Sequence, residues 1–297
     1  MITKVTNLKN MISRSTIKHL RIPFSIFLMP VFLFALANVE QIDFYNTLIV
    51  FIVLHLFIYP ASNGYNSYFD KDEGSIGGLK KPPKVTKNLY WTALIFDGLG
   101  IFLALFINIW FAIMVFIYGL ISKAYSHPNI RLKKYAFASW LTVGLFQGAF
   151  TYFMSSSGLL DQGFEIWVTP KIYLPAILST LLLLGSYPMT QIYQHEEDAA
   201  RGDKTISLLV GIKGTFYLTA VMFSLSMLGF LWYYSTYFSL NDFYILLAFL
   251  APVFGLFSFW FLKVLKNETA ANFENTMRFN MISSTCLIVY FLFLVIG

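Results

Sequence analysis

The sequence has little charge and almost no cysteine. Of its 297 residues only 12% are charged, whereas 57% are hydrophobic, and the mean hydropathy is +0.65. A soluble domain carries about 25% charged residues, so this chain could not cover a water-facing surface. The single cysteine, Cys286, excludes an intrachain disulfide, and the sequence offers no Cys/His set suited to zinc.

Apolar runs of about 20 residues, each long enough to cross a bilayer as a helix, recur along the chain. They predict an all-α membrane protein whose nine transmembrane helices form a bundle around a central cavity. The polar, basic start of the chain is not typical of a cleavable signal peptide. We therefore expect a basic N-terminal arm over 1–22 and one transmembrane domain over 23–297. The nine expected spans are 23–38, 45–63, 89–107, 109–126, 136–156, 172–192, 214–235, 243–262 and 279–297.

The basic residues predict the topology. With a cytoplasmic N-terminus, 20 of the 21 Lys and Arg residues fall on the cytoplasmic side, and only Lys171 does not. This asymmetry is typical of the positive-inside rule. The net charge of +6 then faces anionic lipid head groups or a diphosphate. We do not expect a nucleic-acid partner, because no soluble module could hold one.

The acidic residues gather in two short segments, each at the cytoplasmic end of a predicted span. "NSYFDKDEGSIGGLKKPP" (66–83) and "YPMTQIYQHEEDAARGDKT" (187–205) together hold seven of the fifteen acidic residues. The seven are Asp70, Asp72, Glu73, Glu196, Glu197, Asp198 and Asp203. Each segment alone is also compatible with a solvated loop whose lysines compensate the charge. Two such clusters that face each other could instead hold two Mg²⁺ ions around one diphosphate.

Both acidic segments follow a polar stripe at helical spacing. His55, Tyr59, Ser62, Asn66 and Asp70 fall on one predicted helix face. A second predicted face carries Tyr187, Gln191, Gln194 and Asp198. Polar faces at membrane depth point into the bundle or towards a wet cavity. The sequence has no Walker-type phosphate loop, and Gly77-Gly78 is expected to form a turn.

With these motifs the chain resembles the UbiA superfamily of intramembrane polyprenyltransferases over nearly its whole length. The first family motif is Asn-x-x-x-Asp-x-x-x-Asp followed by a basic residue and proline. Asn66, Asp70 and "KKPP" match it, whereas Gly74 stands where the family has its second Asp. "AYSHPNIRLKK" (124–134) and "LRIPFSIFLMP" (20–30) also resemble family segments, the latter the Arg-x-Pro opening of the first helix.

The second family motif, Asp-x-x-x-Asp followed by Gly and Lys-Thr, is also matched with one departure. Asp198 and the following Gly202, Lys204 and Thr205 agree with it, but Gln194 replaces the first Asp. The two departures, Gly74 and Gln194, leave open a protein that binds an isoprenoid lipid or a partner without turnover.

The resemblance implies Mg²⁺-dependent transfer of a prenyl group from an allylic polyprenyl diphosphate to a lipophilic acceptor, aromatic or a quinone precursor. Asp70 and Asp198 are the implied catalytic residues. The implied metal ligands are Asn66, Asp70, Asp72, Glu73, Gln194, Glu197 and Asp198. The implied diphosphate-binding residues are Lys80, Lys81, Lys123, Arg131, Lys133, Arg201 and Lys204. The expected substrate-pocket residues are His55, Tyr65, Tyr68, Tyr125, Tyr187, Gln191 and Tyr193.

Asp97 lies apart from these motifs, about 13 Å into the third predicted span at 1.5 Å per residue. A charge at that depth is protonated, paired or lining the cavity. We expect a buried structural pair, for which His55 is one candidate partner, while deprotonation of an acceptor stays open.

A secondary transporter is the alternative from another class. It is disfavoured, because its charges would gather at the midplane and not at one face of the membrane. We expect an integral protein of a bacterial cytoplasmic membrane, with the site facing the cytoplasm and the bilayer as its surroundings.

Overall fold

A computed structural model describes residues 13–297, and the regular secondary structure of these residues is helical. Among them no strand forms, and only an isolated bridge joins Ile76 and Leu79. Residues 1–12 of the expected basic arm lie outside the described residues. In chain order the α-helices are α1 (Arg14–Leu20), α2 (Met29–Ala37), α3 (Phe44–Phe51), α4 (Tyr59–Asp70), α5 (Asn88–Ala104), α6 (Ile109–Ser126), α7 (Ala136–Gly144), α8 (Thr151–Leu160), α9 (Pro170–Met189), α10 (His195–Arg201), α11 (Ile206–Tyr237), α12 (Leu240–Lys266) and α13 (Phe273–Ile296).

Seven helical segments in the described part of the chain are long and apolar enough to cross a membrane. They are Arg14–Ala37, Phe44–Asp70, Ile109–Ser126, Pro170–Met189, Ile206–Tyr237, Leu240–Lys266 and Phe273–Ile296. The two other predicted spans coincide with α5, which has 17 residues, and with the helical stretch at 136–160. That these two also cross stays a prediction, as does the cytoplasmic N-terminus. The predicted break near Asn108 is confirmed, because its side chain accepts a 2.7 Å hydrogen bond from the Phe111 N–H at the start of α6.

Helix α2 lies at the centre of the bundle. Residues 30–36 are all buried, which fits a helix that is apolar all round. Phe34 stacks on Phe291 of α13 with 4.6 Å between ring centroids, and it also contacts Phe230 of α11 and Tyr152 of α8. The middle of α2 therefore ties three other helices together through aromatic contacts.

A π-helix at Ile52–Ile58 connects α3 to α4. Pro60 follows it, and proline cannot donate to the carbonyl four residues earlier, so a wider turn accommodates the ring. His55 lies within this π-helix, and its ring centroid is 5.1 Å from that of Tyr59. Its ring packs between Phe32 and Phe51, at 5.8 and 5.1 Å, and it does not line the cavity. The expectation that His55 belongs to the substrate pocket is therefore wrong.

The second predicted polar face is not one helix. Helix α9 ends at Met189, and α10 begins only at His195 after a turn. Pro188 contributes to this break, since it cannot donate to the Leu184 carbonyl, which instead accepts a 2.8 Å hydrogen bond from Trp140 Nε1. The turn still brings the four predicted residues to one cavity: Tyr187, Gln191, Gln194 and Asp198.

A second π-helix at Leu145–Phe150 joins α7 to α8 and presses against α9. The Ala149 N–H donates to Thr180 Oγ1 over 3.0 Å, so a hydroxyl satisfies a backbone donor of the wider turn. A Cβ on Gly148 would come within 2.5 Å of the Thr180 backbone. The absence of a side chain at Gly148 thus permits the close contact between the two segments.

We predict that Gly148→Ala destabilises the protein by about 1–3 kcal/mol, because the backbone of α9 must move to admit the methyl group. The measurement is thermal unfolding of the purified protein in detergent. Gly98→Ala is the matched control, since nothing lies within 4 Å of a Cβ built on Gly98 in α5. An unchanged melting temperature for Gly148→Ala would contradict the close contact.

Candidate active site

One cavity of about 370 Å³ runs through the bundle and changes character along its length. Its charged end is lined by Arg21, Asp70, Asp72, Lys133, Asp198, Arg201 and Asp203. Its apolar end is lined by Phe34, Met227, Leu250, Phe254, Leu287 and Phe291. The ring centroids of Phe273, at the start of α13, and Tyr193, at the charged end, are 5.3 Å apart. Phe291 lies 18 residues further along the same helix, at the apolar end. At 1.5 Å per residue the two ends are about 27 Å apart.

Asp203 is the most buried carboxylate of the charged end, at 2% exposure. Arg131 grips it through both branches of the guanidinium, with Nε and Nη2 at 2.9 and 2.8 Å from the two carboxylate oxygens. Lys133 forms an ion pair with Asp70 and lies 3.9 Å from Asp203. Arg131 and Lys133 therefore join the end of α4 to the turn after α10.

Arg201 joins the two acidic segments from the other side. It forms an ion pair with Asp72 of the first segment and a 3.1 Å hydrogen bond with Asp198 of the second. Its Nε lies 3.8 Å from Asp203. The two segments that the sequence places more than a hundred residues apart thus meet at one mouth of the cavity.

The helices that carry these side chains end in residues with a left-handed backbone conformation. Lys71 ends α4 with φ 51°, and Gly202 ends α10 with φ 73°. Gly202 suits this conformation because it lacks a Cβ. The Asp203 N–H then folds back onto the Asp198 carbonyl at 2.9 Å. The tight C-terminal turn of α10 therefore sets two carboxylates side by side.

Burial and ion pairing shift the pKa values of the ionisable groups at this site in opposite directions. Burial raises the pKa of Asp198 to about 6, although the neighbouring Arg201 lowers it. The hydrogen bonds to Asp203 raise the pKa of Arg131. A cation at the charged end would favour the ionised form of Asp198, because a nearby positive charge stabilises a carboxylate.

The two positions that depart from the family motifs, Gly74 and Gln194, take part in one contact between the two acidic segments. Glu197 Oε1 accepts hydrogen bonds from the Glu73 and Gly74 N–H groups at 3.0 and 3.2 Å. A Cβ on Gly74 would lie 2.7 Å from Glu197 Oε2, so glycine lets the carboxylate approach the backbone. Gln194 Nε2 donates to the Ser75 carbonyl at 3.1 Å. We call this contact, formed by 73–75 with Gln194 and Glu197, the inter-segment clamp.

The clamp places some of the implied metal ligands away from the cavity. Asn66, Asp70, Asp72, Asp198 and Gln194 line it. Glu73 is exposed, and Glu197 is directed at the loop backbone.

The implied diphosphate-binding residues also divide into two groups. Lys133 and Arg201 line the cavity, and Arg131 lies next to it, 3.7 Å from Asp70. Lys80 is exposed and pairs with Glu274, while Lys81 and Lys204 are exposed as well. Among the described residues, therefore, the cavity itself receives two of the seven expected cations.

The expected aromatic pocket is present in part. Tyr125, Tyr187, Gln191 and Tyr193 line the cavity, and the Tyr125 and Tyr187 hydroxyls contact each other. Both hydroxyls also lie within 3.3 Å of Ser139 Oγ. Tyr65 and Tyr68 pack instead against Tyr90, away from the cavity, and His55 lies among aromatic rings as described above.

Asp97 pairs with Lys123 and not with His55. Lys123, on α6, forms an ion pair with Asp97, on α5, and its Nζ lies 5.2 Å from the centroid of the Tyr65 ring. Both side chains are mostly buried, at 17% and 10% exposure for Lys123 and Asp97. The expected buried pair therefore exists with a different partner, and this pairing takes Lys123 away from the diphosphate role implied for it.

Arg21 and Asp203 are cavity residues to which sequence reasoning gave no role, although Asp203 was counted in the second acidic segment. Arg21 donates to the Gly77 and Asn63 carbonyls at 3.2 and 3.4 Å, which turns its side chain over the mouth. The Arg-x-Pro opening of the first helix was the available signal for Arg21. For Asp203 the signal was weaker, since it lies two residues beyond the helix that carries the second motif.

The residues at the charged end fit a hard divalent cation by donor chemistry. Asp70, Asp72, Asp198 and Asp203 supply carboxylate oxygens to one cavity. Asn66 donates its amide N–H to Ser126 at 2.9 Å, and its Oδ1 has no hydrogen-bond donor in the described part of the chain. Within residues 13–297, no three His, Cys, Asp or Glu side chains converge as a ready metal site. The carboxylates are engaged instead by Arg131, Lys133 and Arg201.

The fold and these motifs define a known class of membrane protein. The UbiA prenyltransferase family matches the chain over residues 27–282, and the chain belongs to this family. No curated protein matches it.

Solved structures of the same fold align along nearly their whole length. A UbiA homolog from Archaeoglobus fulgidus bound to GPP and Mg²⁺ is 15% identical, with 95% of this chain and 100% of that chain covered and a TM-score of 0.69. An apo UbiA homolog from Aeropyrum pernix K1 is 18% identical, with coverages of 91% and 98% and a TM-score of 0.69. A digeranylgeranylglyceryl phosphate synthase is 20% identical, with coverages of 96% and 99% and a TM-score of 0.61. At these identities the likeness shows the fold alone.

We predict that Glu197→Ala opens the inter-segment clamp, because two backbone N–H groups lose a charged acceptor worth about 1.5–3 kcal/mol. Tryptic cleavage within 71–81 should accelerate several-fold. Gly74→Ala should act in the same sense, and the double variant should cleave little faster than Glu197→Ala alone, since both changes break one contact. Glu196→Ala, at the exposed neighbouring position, is the control and should cleave like the wild type.

We also predict that Lys123→Met costs about 3–5 kcal/mol of stability, because it leaves the Asp97 carboxylate buried without its cation. Thermal unfolding in detergent measures the loss. The double variant Asp97→Asn/Lys123→Met should recover most of it. Lys87→Met, at an exposed position, serves as the control. Equal stability of Lys123→Met and Lys87→Met would contradict a pair that matters to the fold.

Proposed function

We propose that this protein transfers a prenyl group from an allylic diphosphate to a lipophilic acceptor within the membrane. The observation that carries the proposal is a cavity in which a cluster of carboxylates and cations opens into an apolar channel. A prenyl diphosphate has the matching form, with an anionic head and a hydrocarbon tail. The Archaeoglobus fulgidus homologs bound to GPP or DMAPP with Mg²⁺ support this reading.

The charged end would hold the diphosphate. The Arg201 guanidinium can donate hydrogen bonds to two diphosphate oxygens, whereas Lys133 acts as a point charge. Arg21 is the third cation, and it lies at the mouth of the cavity. Mg²⁺ held by Asn66, Asp70, Asp72 and Asp198 would supply charge neutralisation to the leaving diphosphate. In this proposal Glu197 and Gln194 position the segments through the clamp, and Glu197 is not a ligand.

The reaction forms one bond and breaks one bond at the allylic carbon. The acceptor atom bonds to this carbon while the carbon–oxygen bond to the diphosphate breaks, and the diphosphate leaves with the electron pair. The acceptor loses a proton, which the departing diphosphate can accept. Basic side chains at the charged end stabilise the charge that develops there. The Tyr125 and Tyr187 rings lie on the cavity wall, where π-faces attract an allylic cation.

The proposed arrangement in the membrane follows the distribution of basic residues. Residues 23–297 would form one transmembrane domain with a cytoplasmic N-terminus, and the charged end would open to the cytoplasm. An aromatic or quinone-precursor acceptor remains the expected class, and the bacterial origin stays a prediction.

A second candidate function is binding of an isoprenoid diphosphate without turnover. The clamp favours it, because both positions that depart from the family motifs serve a contact between segments. In that case the charged end would bind a head group and release nothing.

Incubation of the purified protein with Mg²⁺, an allylic diphosphate and a panel of phenols, quinols and alcohols tests the two functions. We expect diphosphate release that falls about 100-fold or more in Asp70→Asn and Asp198→Asn, because each variant removes a carboxylate that would hold the Mg²⁺ at the leaving group. Glu196→Gln is the control and should retain wild-type release. Donor binding without release by any acceptor would favour the second candidate. Absence of Mg²⁺-dependent donor binding would reject both functions.

A further inference from the structure

Between the two ends of the cavity lies a band of uncharged polar side chains. It consists of Gln147, Ser179, Asn280, Ser283 and Ser284, all of which line the cavity, and we call it the polar band. Ser283 and Ser284 follow Asn280 by three and four residues, which sets all three on one face of α13. Gln147 comes from the π-helix after α7, and Ser179 comes from α9.

The band lies at a definite depth. Counting from Phe273 at 1.5 Å per residue, Asn280 lies about 10 Å and Ser284 about 16 Å below the charged end. Leu287 and Phe291 continue the same face into the apolar end. A channel that held only a hydrocarbon tail would be apolar along its whole length. The polar band interrupts this channel.

Its polar groups have no partner in the described protein. Asn280 is only 8% exposed, and its amide makes no hydrogen bond with the described residues. Ser179 is 1% exposed and equally unpartnered, and Ser283 Oγ is buried without a partner. Buried polar groups are costly unless they are hydrogen-bonded, and a prenyl tail offers them neither a donor nor an acceptor.

The band also lacks charge. The charged residues that line the cavity within the described chain all belong to its charged end. A carboxylate at the depth of Asn280 would therefore be buried without a cation, at a large cost. An amide and hydroxyls can instead accept from a hydroxyl and donate to a carbonyl.

We propose that the polar band binds the oxygen of the acceptor, and that this acceptor presents a neutral hydroxyl or carbonyl group to Asn280. The acceptor is then a neutral phenol, quinol or alcohol and not a carboxylic acid. The role as acceptor site rests on the proposed prenyl transfer, whereas the recognition of a neutral oxygen rests on the band itself.

Three probes with the same ring isolate this recognition: naphthalene, 1-naphthol and 1-naphthoate. Their binding is measured by equilibrium dialysis against the full chain in lipid nanodiscs, with empty nanodiscs subtracted. We expect the wild type to bind 1-naphthol at least about fivefold more tightly than either other probe, the effect of one neutral hydrogen bond. Asn280→Leu, which keeps the size of the side chain, should abolish this preference, and Ser283→Ala should reduce it.

Thr285→Val is the matched control, because Thr285 lies one residue beyond the band on the exposed side of α13. It should keep the wild-type preference. Since Asn280 makes no hydrogen bond to the described protein, Asn280→Leu should unfold at the wild-type temperature. An unchanged preference in Asn280→Leu, or equal wild-type affinity for 1-naphthol and 1-naphthoate, would overturn the proposal.

Binding of geranyl thiolodiphosphate with Mg²⁺, measured on the same samples, separates this proposal from the proposed function. We expect it to be unchanged in Asn280→Leu, because the diphosphate lies at the charged end. If the wild type does not bind this donor analogue, prenyl transfer is rejected, while the naphthol comparison still decides whether the band recognises a neutral oxygen.

Discussion

The structure depends on a set of ion pairs that joins two distant parts of the chain. Arg131 and Lys133 link Asp70 to Asp203, while Arg201 links Asp72 to Asp198. Buried charges are unfavourable unless each has a partner, so the two acidic segments are stabilised together and not separately. The mouth of the cavity exists because these charges satisfy one another, and the helices behind it are held at the spacing that the pairs require.

The departures from the family motifs become one feature in this setting. Gly74 lacks the side chain that would exclude the Glu197 carboxylate from the backbone, and Gln194 reaches the next carbonyl along the loop. A contact between segments thus stands where the family has two more carboxylates. Fewer negative charges at the mouth also mean less repulsion among those that remain.

The sequence predicted the class of fold and most of the mouth, because apolar length and motif spacing are local properties of a chain. Asn66, Asp70 and Asp198 needed only their neighbours to be recognised. His55 was misplaced because a π-helix ahead of Pro60 changes the helical register, which a spacing of four residues cannot show. The partner of Asp97 was wrong because the pairing of α5 with α6 depends on packing. Asp203 was counted in the second acidic segment but given no role, because its role arises from a left-handed turn at Gly202 and a guanidinium 72 residues earlier.

The balance of charge at the mouth separates the capture of an anion from its retention. The four carboxylates there are matched by Arg21, Arg131, Lys133 and Arg201, so the buried cluster exerts little field at a distance. Three exposed lysines around it, Lys71, Lys81 and Lys204, form no ion pair with the residues that the structure describes. The exposed lysines would then attract an approaching anionic head group, and this attraction would weaken as the ionic strength rises. Binding by the buried charges would not weaken in this way, because they are shielded from solvent ions.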